Sequence, residues 1–102
     1  MWVYGIQTDE LQEGQIFCKS LLNKRILLTK SDGQIFACGS VCPHQGYSME
    51  NGLVFDKEIT CTEHSWTFSL ENGQLTFPGS GPRIPVYPIR VVEGRVEVDV
   101  SE

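Results

Sequence analysis

The chain contains two histidines, and each stands within three residues of a cysteine: Cys42-Pro43-His44 is a C-x-H unit, and Cys61-Thr62-Glu63-His64 is a C-x-x-H unit. Two short chelating loops, each offering one thiolate and one imidazole, can serve a single metal centre if the strands before them are neighbours. Three readings compete. The four residues could be ordinary packing and hydrogen-bonding groups. They could hold tetrahedral zinc, although zinc fingers usually place two cysteines in one unit and two histidines in the other. Or they could hold a [2Fe–2S] cluster in which two imidazoles replace two thiolates, for which a two-loop C-x-H…C-x-x-H order is the signature.

Charge explains why such a mixed ligand set would be used. Two ferric ions, two sulfides and two thiolates with two neutral imidazoles make an uncharged unit, whereas four thiolates make a dianion. An electron enters the uncharged unit more easily, which places such centres at about −150 to +300 mV.

The elements that must position these loops are strands. Short alternating segments at Val3–Gln7, Gln15–Ser20, Lys24–Lys30, Gln34–Cys38, Glu58–Thr60, Thr67–Leu70, Gln74–Phe77, Ile89–Val92 and Arg95–Val100 all read as β. The first chelating unit follows the strand at Gln34–Cys38 and the second follows Glu58–Thr60. Ser31-Asp32-Gly33, Glu71-Asn72-Gly73 and Glu93-Gly94 supply turns that tolerate positive φ. Thr8-Asp9-Glu10-Leu11 is cap-like, but Gly14 follows too soon for more than one helical turn. Pro78-Gly79-Ser80-Gly81-Pro82-Arg83-Ile84-Pro85 breaks the rhythm, and its prolines forbid a central strand.

Composition agrees. Val, Ile and Thr number 22 against a single alanine, Ala37, which disfavours helices. Leu, Ile, Val and Phe make up 28% of 102 residues, so the chain is expected to fold as one domain spanning 1–102. Thirteen acids against eight bases give a net charge of −5, which argues against nucleic acid and for a basic protein partner. No apolar run approaches the ~20 residues that span a bilayer, and the first ten residues lack the marks of a secretory signal. The expectation is a soluble, cytoplasmic protein without a membrane partner, with thiols reduced and no need to dimerise. Cys18 and Cys38 lie in strands and read as small buried hydrophobes.

At Cys42-Pro43-His44-Gln45-Gly46, Cys61-Thr62-Glu63-His64, Trp66-Thr67-Phe68 and Gly81-Pro82…Pro85…Tyr87-Pro88 the sequence resembles the Rieske-type ferredoxins of bacterial multicomponent oxygenases. Among these it looks closest to the ferredoxins of toluene-type monooxygenases. The resemblance runs from about Gln34 to Val100. It implies an all-β fold, a stack of small antiparallel sheets with a two-loop cluster-binding tip. The loops would lie at about 40–68, and a Pro-rich covering loop at about 78–88. It also implies one [2Fe–2S] cluster per chain, with Cys42 and Cys61 holding one iron as thiolates and His44 and His64 holding the other through Nδ1. An exposed imidazole edge would then be the electron's exit.

High-potential relatives in respiratory complexes carry a disulfide between the loops; here those positions are Tyr47 and Glu63, so no bridge can form. Two and four residues after the second histidine they carry Ser and Tyr, whereas this chain has Trp66 and Phe68. Fewer donors to the cluster place its expected potential at the low end of the range. Ser65 could donate to the cluster or cap its loop.

Absences narrow the role. With both histidines on iron, none is left for a mononuclear oxygenase iron or for a nucleophilic triad, and no nucleotide fingerprint is present. The expectation is an electron carrier without catalytic residues of its own, between a flavin-dependent reductase and a terminal oxygenase. Two other roles stay open: a small subunit or module of a reductase such as nitrite reductase, and a zinc-stabilised interaction module.

Overall fold

Alternating apolar residues pair into three antiparallel sheets in the computed structural model, which describes residues 1–43, 46, 48–62 and 65–100. β1 (Trp2–Gln7), β10 (Ile89–Val92) and β11 (Arg95–Asp99) form the first, in the order β1-β11-β10. β2 (Ile16–Leu21), β3 (Lys24–Ser31), β4 (Gln34–Gly39) and β9 (Val86–Tyr87) form the second, in that order. β5 (Leu53–Phe55), β6 (Glu58–Thr60), β7 (Thr67–Ser69) and β8 (Leu75–Phe77) form the third. Thr8–Glu10 makes only a 3-10 turn, as the early Gly14 requires.

β3 is the wall between two cores. Ile26 and Leu28 face one side and Leu27 the other, all fully buried. Each such side chain contributes about 1.5–3 kcal/mol when taken out of water. That is why Ile26-Leu27-Leu28 reads as a continuous apolar run rather than an alternating one. On one side Val96, Val98 and Val100 close the core against Ile26, Leu28 and Ala37. Their neighbours stay outside, where Glu97 accepts bonds from Arg90 at 2.8 Å and Arg95 at 3.3 Å. On the other side Leu27, Phe36 and Cys38 pack against Ile59, Phe68 and Leu75 of the third sheet.

Two strands were not expected. β5 is only three residues long and apolar throughout, so no alternation of residue type marks Leu53-Val54-Phe55, although Leu53 and Phe55 are exposed. β9 lies inside the segment expected to be covering loop; Pro85 and Pro88 flank it, and it sits at a sheet edge, where proline is tolerated.

Candidate metal centre

The first loop begins where β4 ends. Val41 pairs with Ser48 in an isolated antiparallel bridge, and Met49 N donates to Ser40 O at 2.7 Å. Cys42 comes directly after the bridged residue, is 0% exposed, and its carbonyl accepts a bond from Gly46 N at 2.8 Å. The second loop repeats this plan. Thr60 pairs with Thr67 across β6 and β7; Cys61 comes next, is 1% exposed, and its carbonyl accepts from Ser65 N at 2.7 Å. In both, the cysteine follows a paired residue and its carbonyl is capped by the amide four residues on. Ser65, exposed and at φ 60°, thus caps its loop through its backbone. His44 and His64 lie outside the described residues, as do Gln45, Tyr47 and Glu63.

The two cysteines are not brought together by neighbouring strands, because β4 and β6 belong to different sheets. A shared core joins them instead: Cys42, Met49, Ile59, Cys61 and Phe68 belong to one buried cluster. Gly52 is the joint. Its amide donates to Met49 O at 2.9 Å, and a Cβ built there would lie 2.7 Å from Thr60 O and 3.0 Å from Met49 O. Only glycine lets the exit of the first loop pass this close to the base of the second.

Trp66 and Phe68 pack beside the second loop, their ring centroids 6.5 Å apart and tilted by 55°. Phe68 is fully buried and Trp66 half-buried, consistent with core positions. The Pro-rich segment lies against this corner. A Cβ at Gly81 (φ 152°) would come 2.8 Å from Leu75 Cδ2 and 4.0 Å from the Trp66 ring. Ile84 N donates to Gly73 O at 3.0 Å, and Gly39 N donates to Pro85 O at 2.9 Å.

All four cysteines are free thiols, and two are plain packing. Cys18 and Cys38 flank Leu27 on either side of β3. Burial pushes the Cys38 thiol up to about 12, with the Cys18 thiol adding to the rise. Burial, then Glu50, raises Cys18 as well. Neither is poised to become a thiolate.

Among the described residues no group of three or more Cys, His, Asp or Glu converges, since both histidines fall outside that set. What the described residues offer is two buried, unbridged thiols in matching turns, which fits the thiolate half of a mixed cluster. Ser40 is a further residue that the sequence pattern did not single out. Its side-chain oxygen is buried without a hydrogen-bond partner, two residues before Cys42. The alternation Cys38-x-Ser40-x-Cys42 was the available signal. Charge is also unevenly placed: residues 41–77 hold five of the thirteen acids and one of the eight bases. Lys57, that one base, lies 3.9 Å from Glu71. No helix among the described residues is long and apolar enough to cross a membrane.

Comparison with known proteins places this geometry. The Rieske [2Fe-2S] domain family matches residues 1–88. The ferredoxin component of the alkene monooxygenase system of Xanthobacter autotrophicus is 34% identical over 86% of this chain and 72% of its own length. That of the naphthalene 1,2-dioxygenase system of Pseudomonas aeruginosa is 26% identical over 98% and 96%. Among solved structures, one described as an NADH-dependent nitrite reductase small subunit from Mycobacterium tuberculosis superposes with a TM-score of 0.90 at 28% identity, covering 100% of this chain and 97% of that one.

Proposed function

The chain belongs to the Rieske [2Fe–2S] domain family, and from that premise we propose that it is the ferredoxin of a multicomponent oxygenase system, taking electrons from a flavin reductase and delivering them to a terminal oxygenase. Cys42 and Cys61 hold one iron as thiolates, and His44 and His64 hold the other. The bound [2Fe–2S] cluster supplies the chemistry, uptake and release of a single electron. The protein's own work is to bind it, to keep water from its thiolates and to present its imidazole edge. The observation that carries this reading is the matched pair of turns burying Cys42 and Cys61 in one core cluster. The family sets the zinc alternative aside, since its cofactor is a [2Fe–2S] cluster.

The base-poor stretch 41–77, with five acids to one base, contains both loops, so a partner with a basic docking patch is favoured. The test is reconstitution with a flavin reductase and a terminal oxygenase. Substrate oxidation is expected to require this protein and to slow as salt rises. Equal turnover without the protein would overturn the proposal. A second reading, the small subunit of a nitrite reductase, is favoured by the 0.90 superposition alone. Stimulation of a nitrite reductase large subunit, with none of an oxygenase, would establish it instead.

A further inference from the structure

Three polar side chains are buried among the described residues: Thr29, Ser31 and Ser40. The Thr29 hydroxyl donates to Gln15 O at 2.7 Å, and the Ser31 hydroxyl accepts from Lys57 N at 2.8 Å. Ser40 is 1% exposed, and its Oγ has no partner. An unmet hydroxyl in an apolar interior is costly, and native folds rarely keep one without a use.

Its position suggests the use. The backbone of Ser40 is fixed from both sides, the amide donating to Arg25 O at 3.1 Å and the carbonyl accepting from Met49 N at 2.7 Å. Only the hydroxyl is left to turn. Val41 pairs with Ser48 and is 45% exposed, so its side chain takes the solvent face. Ser40 and Cys42, on either side of this exposed residue, are both buried at the bend where β4 gives way to the first loop. A thiolate bound to iron keeps lone pairs that accept hydrogen bonds, and the buried, unpartnered Ser40 hydroxyl offers a donor two residues away in sequence.

We propose that Ser40 is a positioning and tuning residue: its hydroxyl donates a hydrogen bond to the Cys42 thiolate when the cluster is bound, favouring the reduced state. This rests on the assignment of Cys42 as a ligand. The bond strengthens as negative charge builds on the sulfur, so its loss must lower the reduction potential. It supplies from the strand side a hydroxyl donor, a group that neither Trp66 nor Phe68 carries in the second loop.

The test is the midpoint potential of the holoprotein carrying Ser40→Ala, Ser40→Thr or Ser40→Cys. Loss of the hydroxyl is expected to weaken reduction about tenfold in equilibrium terms, which for one electron is about 59 mV more negative. Threonine keeps the hydroxyl and should restore most of the shift, while the weaker thiol donor of Ser40→Cys should fall between. If Ser40→Ala fails to retain its cluster, the Ser40→Cys value decides. Potentials equal to wild type in the alanine or cysteine variant, with full iron and sulfide content, would overturn the role of Ser40 alone. Wild-type protein without iron and sulfide would overturn the ligand assignment beneath it.

Discussion

Cys42 and Cys61 share a core with Cys38, and Cys18 packs against it, yet the two pairs are built for different ends. Cys18 and Cys38 sit within strands, in register with Leu27 from its two sides. Cys42 and Cys61 sit one residue beyond a cross-strand pair, where the ladder stops and the chain turns back over its own carbonyl. Burial alone does not make a ligand. What distinguishes the two proposed ligand thiols is that their backbone leaves the sheet and a histidine follows within three residues in sequence, His44 after Cys42 and His64 after Cys61.

Substitution tests this contrast most strongly at the loops. Cys61→Ser is expected to abolish the visible colour and the iron content, whereas Cys38→Ala should leave the spectrum unchanged and cost about 0.5–3 kcal/mol in stability. Equal spectra from both variants would erase the distinction. The next largest effect belongs to the joint between the loops. Gly52→Ala forces a Cβ against the Thr60 and Met49 carbonyls, and such overpacking costs about 1–3 kcal/mol, read as a lower thermal midpoint. An unchanged midpoint would mean that the loops are not held together there.

Thiol reactivity separates the pairs more finely. With its thiol pushed up to about 12, Cys38 should resist alkylation at pH 8 in the folded protein and react on unfolding. Rapid modification of Cys38 in folded protein would contradict its assignment as inert packing. The smallest effect lies far from both pairs. Glu13 accepts bonds from Gly33 N at 3.0 Å and Asp32 N at 2.6 Å, and these amides hold its carboxyl below 4.5. A lowered carboxyl stabilises the fold above its unfolded value and loses that contribution as pH falls through the folded one. Glu13→Gln should therefore flatten the acid limb of stability slightly below about pH 4.5 and leave the cluster's spectrum untouched.

Much of this was legible in the sequence because the signals were local. Asp32-Gly33 and Glu93-Gly94 take positive φ at both residues, as their turn chemistry implies. The valines of β11 point inward and their charged neighbours outward, as period-2 patterning requires. The same turn geometry at Leu22-Asn23 and Asp56-Lys57 was not legible, because leucine and lysine rarely accept positive φ and do so here under tertiary constraint. β5 was missed for a related reason: it pairs with β6 by backbone bonds while leaving Leu53 and Phe55 in solvent. Of the centre, spacing pointed to the two Cys/His units. The approach of the loops through Gly52 and the buried hydroxyl of Ser40 depend on contacts between separate elements, which no spacing records.

The central claim is that both loops grip one core of two irons and two sulfide ions through sulfur on one side and nitrogen on the other. Quantitative iron and acid-labile sulfide analysis, joined to an EPR spectrum of the reduced protein, tests it most directly. The account requires two irons and two sulfides per chain, with a mean g below the free-electron value. Colourless, well-metallated protein holding one zinc and no sulfide would contradict it.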